Sequence, residues 1–497
     1  MAECGDFNDF RLLKNVIIWR IGAKRPFFVT FCTLFCNVAV ILSLEISTNQ
    51  VCIINQIGIA MKRITTLALS LLTVSFAAMA GGLMTNTNHH LAFNRMMARG
   101  ASFEIDGAYT NPAGLVWGHE GWQLSFNWQY AKQSRDIKNL FQMNPTDDHM
   151  IEYKGTVNAP FIPDLYAAYN NGRWAFSFFG GFVGGGGKAE FDDGVPMFNI
   201  PVMLGIMQAT GGMVMPGMYD IDSQVKGTQY VVGLQLNAAY RINDHFSASA
   251  GLRVNRLLSN YKGHVVATTI PQLGSQELIN MQLDCDQTGW GFNPIIGLDY
   301  RLNNLTLAAK YEFRTKITAT NEVNNLVDPS GALAAYGFAD GMKTPTDIPA
   351  MLSVAAGYEF SPRVRAQVEY HFFDDKNAKF SNNRQDYLDR GTNEFLAGVE
   401  WDINDTFTVS CGGQRTDYGL TEGKSDNFQS DIAFSCDSYS VGVGGAINVN
   451  EHMRINAGCF WTIYQDYDKK VNYGGVEGTN TYSRTNRSLG IGIDYKF

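Results

Sequence analysis

The chain has 497 residues, of which 17% are charged, 12% aromatic and 45% apolar, with 50 glycines, 14 prolines and a net charge of -8. That composition excludes a disordered chain, which needs few aromatics and dense charge, and the acidic balance argues against a nucleic-acid partner. A mean hydropathy of -0.12 is too low for a bundle of membrane helices, but not for a barrel in which only alternate strand residues meet lipid.

Residues 61–80 read MKRITTLALSLLTVSFAAMA and contain every part of a secretory signal. Lys62 and Arg63 supply the charge, Leu67 to Phe76 the apolar core, and Ala78-Met79-Ala80 the small-x-small cleavage site. A second apolar stretch, Phe27 to Leu44, lies upstream. Two export signals in tandem make little physical sense, so residues 1–60 are read as preceding the true start of translation. A signal-anchor helix is the competing reading, because the stretch is just long enough to span a bilayer. Cys4, Cys32, Cys36 and Cys52 fall in this extension; Cys285, Cys411, Cys436 and Cys459 remain. Those four show no CxxC pair and no metal-ligand spacing, so isolated thiols are expected, with Cys411 and Cys459 facing outward and Cys436 inward. His89-His90 reads as a solvated pair rather than a metal site.

Beyond residue 120 the sequence alternates apolar and polar residues with period two. In the last segment Leu489, Ile491, Ile493, Tyr495 and Phe497 share one face, and Gly490, Gly492, Asp494 and Lys496 the other. A strand between lipid and a wet lumen needs this pattern, whereas a helix would scatter the same residues around its circumference. Such segments recur at 121–135, 161–170, 173–186, 228–242, 246–262, 289–302, 305–320, 347–360, 363–375, 392–403, 406–420, 435–449, 452–466 and 485–497. Short turns with turn chemistry fall at Asn170-Asn171-Gly172, Asn243-Asp244, Asn303-Asn304, Ser361-Pro362, Asn404-Asp405 and Asn450-Glu451. Longer loops are expected in the other seven gaps. Short periplasmic turns opposite long extracellular loops describe an all-β, fourteen-stranded antiparallel transmembrane β-barrel over 120–497. Phe497 is read as the barrel-assembly terminus, which implies the barrel-assembly machinery as a partner. A soluble β-sandwich or propeller would also bury one face of each strand. The signal sequence, the terminal Phe497 and the charges opposite the aromatics tell against it.

Residues 81–119 do not alternate. Their run Ala101-Ser-Phe-Glu-Ile-Asp106-Gly-Ala-Tyr-Thr-Asn111-Pro112-Ala113-Gly114-Leu115 resembles the FadL/OMPP1/TodX family of outer-membrane hydrophobic-compound transporters, whose members carry an Asp-containing stretch ending in NPAGL shortly after the signal peptide. The resemblance implies that residues 81–119 form a small hatch inside the lumen, with Asn111, Pro112, Ala113 and Gly114 at the gate. Many members have more residues between the Asp and the Asn, so Asp106 matches less closely than Asn111 to Leu115. The same resemblance implies an inward kink in the third strand that opens the wall sideways. Gly184, Gly185, Gly186 and Gly187 are placed there, since four glycines in a central strand favour a bend or bulge. An ordinary flexible strand-to-loop junction is the alternative reading of the same run.

Val195 to Met218 is unusually apolar for an exposed loop. Met197, Phe198, Met203, Leu204, Met207, Met213 and Met215 are read as a hydrophobic collecting surface, methionine being adaptable to ligands of varied shape. The family's groove is usually described on the third and fourth extracellular loops, whereas this is the second. No G-x-S-x-G, H-E-x-x-H or P-loop is present, so neither an enzyme, a cofactor nor a metal is expected. Arg253, Lys310, Glu312, Arg314, Arg365 and Glu369 are expected to bond across the lumen and hold the hatch. The chain is thus expected to act in the outer membrane of a Gram-negative bacterium, as a monomer among outer-membrane lipid and lipopolysaccharide. Its expected role is passive, hatch-gated uptake of long-chain fatty acids or other hydrophobic compounds, with lateral exit near strand three. A general porin and a barrel-embedded lipid hydrolase are the alternatives.

Overall fold

Strand β1 (Gly121–Phe141) shows how the alternation works. Gln123, Ser125, Asn127 and Gln129 are buried on its inner face, while Trp122, Leu124 and Phe126 are exposed on its outer face. The computed structural model describes Asn88, residues 90–329 and residues 331–497; the extension at 1–60, the signal at 61–80 and His89 lie outside the described residues.

Hairpins follow in sequence order through β2 (Met150–Asn170), β3 (Trp174–Phe191), β4 (Tyr219–Arg241), β5 (Phe246–Thr269) and β6 (Glu277–Leu302). β7 runs in two stretches, Leu305–Glu312 and Thr318–Val327, both paired with β6. Next come β8 (Met351–Ser361), β9 (Val364–Phe373), β10 (Thr392–Asp402), β11 (Phe407–Asp417) and β12 (Ser438–Asn448). β13 is again divided, into Met453–Tyr464 and Tyr467–Tyr473, and both parts pair with β14 (Val476–Lys496). β14 closes on β1, from Gln123 opposite Lys496 to Phe141 opposite Gly478. The result is the expected closed barrel of fourteen antiparallel strands. Closure gives every strand a neighbour on each side and, one stretch between β2 and β3 apart, leaves no sheet edge for lipid to face, which is the condition for crossing a bilayer with strands. Among the described residues no helix is long and apolar enough to cross.

The outer surface carries the apolar belt. Trp122, Trp174, Phe246, Phe360, Trp401 and Phe407 are exposed at the short-turn end, and Trp290, Phe292, Phe395 and Trp461 toward the other. Rings at these two levels suit the interfaces of the bilayer. Phe497 sits in the first girdle, its N–H donating to the Trp122 carbonyl at 2.9 Å. Cys411 and Cys459 are exposed and Cys436 buried, all free.

Three expectations need correction. Several strands outrun their periodic segments on the loop side; β2 begins at Met150, β6 at Glu277 and β14 at Val476. There both faces meet water or other loops, so the apolar alternation that marks a lipid-facing strand fades. As a result β5–β6 and β13–β14 are joined by residues 270–276 and 474–475, not by long loops. Finally, the apolar β3–β4 connection contains an α-helix, Pro196–Ala209. Pro196 opens it without losing a needed N–H, and Gly211 and Gly212 end it in left-handed conformations (φ +61° and +80°).

Candidate functional site

The lumen is occupied by the segment before β1. Its helix α1 (Leu91–Met96) lies against β10–β14, where Gly398 and Gly412 leave room for the Met96 carbonyl that any Cβ would strike. Two 3-10 turns follow, Ile105–Ala108 and Pro112–Trp117, the second packed on β3–β6. The hatch thus reaches from one side of the barrel to the other.

It is fastened by polar contacts around the wall. Arg95 pairs with Glu400 of β10 and donates to Ser410 Oγ at 2.8 Å. Glu369 of β9 accepts from the backbone N–H groups of Arg99 (2.8 Å) and Gly100 (2.9 Å). Gln235 and Asn237 of β4 both donate to the Ala108 carbonyl at 3.0 Å. Lys310 donates to the Tyr109 carbonyl at 3.1 Å and to Glu312, which also pairs with Arg253 at 2.6 Å. Inside the hatch Arg99 pairs with Asp106 and with Glu104, both at 2.6 Å, and Glu104 reaches Arg454 of β13 at 2.9 Å. Burial opposes ionisation of Glu104, but the guanidinium groups of Arg454 and Arg99 outweigh it and hold the carboxyl well below its usual range.

Of the six lumen charges singled out, Lys310 and Glu369 bond the hatch backbone. Glu312 and Arg253 support Lys310 and the Tyr109 ring, and Arg365 joins Glu400 beside Arg95. Arg314 does not hold the hatch; it bonds the Asn377 carbonyl and lies 3.6 Å from Asp347, tying loop backbone instead. His90 is also corrected. It is buried rather than solvated, its side chain accepting from Ala92 N–H and lying 3.3 Å from Asp494.

Asn111 caps the second 3-10 turn by accepting from Ala113 N–H at 3.3 Å, while its amide donates to Asp299 Oδ1 at 2.6 Å. Pro112 fixes the start of that turn. The Ala113 carbonyl accepts from Ser247 Oγ at 2.7 Å. Gly114 lies so close to Ser102 and Asp299 that an added Cβ would stand 2.6 Å from the Ser102 carbonyl oxygen.

Gly184 to Gly187 occupy a break in the wall. β2 and β3 pair from Asn170–Ala175 up to Asp164–Gly181, then not again until Val157–Ala189. On the β4 side the register shifts twice, between Phe182 and Gly184 and between Gly184 and Gly187. Gly185 (φ +115°) and Gly187 (φ +76°) hold conformations that a side chain would strain. The facing stretch of β2 contains Pro160 and Pro163, which have no N–H to offer a neighbour. Sequence reasoning found the glycines and missed these prolines. It also missed Tyr109, whose ring lies 4.7 Å from Phe179 of β3, itself 5.1 Å from Tyr166 of β2. This aromatic group joins the hatch to the inner rim of the break.

At the loop end a small apolar cavity is lined by Phe198, Val265, Met281, Leu333, Phe338 and Ile432 among others. It draws on three connections, β3–β4, β7–β8 and β11–β12, as well as on strand ends. Of the apolar loop residues, Phe198 lines this cavity; Met197 and Met203 are buried in the helix packing, Leu204 and Met207 are half-buried, and Met213 and Met215 are exposed. A second small cavity lies beside the hatch, between Phe93, Tyr109, Lys310, Met351, His371 and Phe373.

A closed fourteen-stranded barrel with an apolar belt and a lumen filled by its own N-terminal segment defines an outer-membrane channel of the hatch-bearing class. Residues 221–497 match the family described as outer membrane protein transport protein (OMPP1/FadL/TodX), and the chain belongs to that family, whose members are outer-membrane β-barrels of Gram-negative bacteria. No curated protein matches the sequence. Among solved structures it is similar to a Pseudomonas aeruginosa FadL homologue (15% identity, TM-score 0.60, covering 84% of this chain and 100% of that one). It is also similar to the Ralstonia pickettii toluene transporter TbuX (17%, 0.51, 83% and 99%) and the Pseudomonas putida toluene transporter TodX (12%, 0.50, 86% and 100%). At these identities the likeness concerns the fold.

Proposed function

We propose that the protein admits hydrophobic small molecules, long-chain fatty acids or monoaromatic compounds, by passive diffusion through the outer membrane. Molecules collect in the apolar cavity beneath the β3–β4 helix, reach the space beside the hatch, and leave sideways between β2 and β3. Movement of the hatch around Asn111 to Gly114 gates the step. The single observation that carries this reading is the unpaired stretch at Gly184–Gly187, with Tyr109 of the hatch packed against its rim. Each apolar station spares the ligand contact with water and with the polar surface of the outer leaflet.

A general porin needs an open lumen, and here the hatch is bonded to strands on opposite sides of the barrel. That favours the hydrophobic reading. The test is uptake of labelled oleate and of toluene by cells carrying the wild type or a deletion of residues 103–115. Uptake by the wild type above the empty strain is expected, with altered uptake in the deletion. Ion conductance through the intact protein with no hydrophobic uptake would overturn the proposal.

A further inference from the structure

The lipid-facing side of β1 runs Trp122, Leu124, Phe126, Trp128, Tyr130, and then Lys132; on β14 it runs Phe497, Tyr495, Ile493, Ile491, Leu489, and then Arg487. Lys132 and Arg487 are direct cross-strand partners, and both are exposed. Two cations opposite each other on one sheet face repel. Among the described residues neither has an ion-pair partner. The row continues to Asn158 on β2 and to Trp461 on β13, whose ring lies 4.8 Å from the Arg487 guanidinium carbon. The guanidinium lies over the indole, and among the described residues its N–H groups have no hydrogen-bond partner. One row farther from the belt, Ser134 Oγ and Thr485 Oγ1 stand 2.8 Å apart and exposed. The first carboxylate on this face of β1 is Asp136, opposite Lys154 and about 13 Å along the strand from Lys132.

Depth gives the partner. Ten residues of strand separate Trp122 from Lys132, about 34 Å along a strand and about 25 Å in height once tilted, the thickness of the apolar band. The cation row therefore stands at the outer boundary of the hydrocarbon, on the side of the long loops. Arg256 marks the same level elsewhere on the wall, ten residues beyond Phe246 and 4.8 Å over the Trp290 ring. We propose that Lys132 and Arg487, with the hydroxyl groups of Ser134 and Thr485 beside them, bind the phosphate of a phosphorylated glycolipid headgroup in the outer leaflet. A dianionic phosphomonoester between the two cations removes their repulsion and accepts bonds from ammonium, guanidinium and hydroxyl donors alike. The site lies on the outer face of the β1–β14 pair, whereas the proposed exit lies on the other side of β2, between β2 and β3.

The test uses the full processed chain in detergent micelles, with bound lipid counted by native mass spectrometry. Wild type and K132Q/R487Q are titrated with bis-phosphorylated lipid A, with the same lipid stripped of phosphate, with phosphatidylglycerol and with inorganic phosphate. Wild type is expected to hold the bis-phosphorylated lipid roughly tenfold or more tightly than the double variant, and the phosphate-free lipid no better than the variant does. Equal affinity of the two proteins overturns the site, as does equal binding of the phosphate-free lipid. Phosphatidylglycerol binding as tightly as lipid A overturns the phosphomonoester, and displacement of the lipid by an equal concentration of inorganic phosphate overturns the lipid assignment. Heat-modifiable migration on gels reports folding of each variant. Should K132Q/R487Q not fold, K132Q and R487Q are read singly, each expected at roughly a threefold loss and each overturning the site if unchanged.

Discussion

Arg95 of the hatch helix and Glu400 of β10 form an ion pair in which neither side chain is exposed. Such a pair is weak support for stability as a whole, but costly to break from one side, because the remaining charge stays buried without its partner. Arg365 shares Glu400 and keeps Asp402 at 2.7 Å, so loss of the Glu400 charge strands Arg95 above all.

Glu400→Gln is accordingly expected to weaken hatch docking by about 3 kcal/mol. The barrel should keep its closure, which rests on strand pairing. Planar-bilayer conductance is expected to rise, and the segment 91–117 to become sensitive to protease. R95M/E400L, which removes both charges, should lie nearer the wild type. A single variant as closed and protected as the wild type would show that the pair does not hold the hatch.

Asn111→Ala removes the cap of the second 3-10 turn, about 1 kcal/mol, and takes from the buried Asp299 the one hydrogen-bond donor its carboxyl has among the described residues. Asn111→Asp is expected to do more harm, because it sets a second carboxylate against Asp299 in the same buried place. Protease sensitivity near residue 111 should rank wild type, Ala, Asp. Reversal of the last two would mean that Asp299 carries no charge there.

How far the sequence reaches can be judged from these residues. Period two on β14 and the turn at Asn450-Glu451 follow from local chemistry, and they are enough to set strand number, facing and closure. The helix at Pro196–Ala209 is apolar on every side, so it has no polar stripe for a 3.6-residue period to show. Hatch anchoring was legible only as a set of inward charges. Whether Arg314 reaches the hatch, and which wall residue meets Arg95, depends on strands distant in sequence. His90 looked solvated because Asp494, its buried partner, stands at the opposite end of the chain. The glycine run announced a weak place in β3, but the width of the break follows from Pro160 and Pro163 lying across from it.

Acidification gives a separate reading of the hatch. The Glu104 carboxyl lies below its ordinary value of 4.5 beside Arg454 and Arg99. A depressed carboxyl adds stability that is fully present above the ordinary value and is lost as pH falls through the lowered one. Conductance should therefore stay low and flat from neutral pH down to about 4.5, and rise only below it. Glu104→Gln should conduct more at neutral pH and lose this acid step. A wild-type step between pH 5 and 7 would assign the response to another group.

A disulfide can pin β2 to β3 at the loop-side end of the break. A Cβ built on Gly187 would stand 3.7 Å from that of Ala159, within the separation that a disulfide spans. Gly187 has φ +76°, so Gly187→Cys alone should cost about 1–2 kcal/mol of local strain, and it serves as the control. The background is a variant with Cys411 and Cys459 changed to Ser, since both are exposed and free. With A159C/G187C oxidised, the two strands are tied at the loop-side end of the unpaired stretch, next to the Val157–Ala189 pair, and can no longer part there. Hydrophobic uptake is expected to fall to near that of cells lacking the protein, and to return on adding a reductant, while G187C alone keeps uptake in both conditions. Full uptake through the cross-linked protein, with the bond verified by mass spectrometry of the joined peptides, would place the exit elsewhere, through the hatch and down into the periplasm.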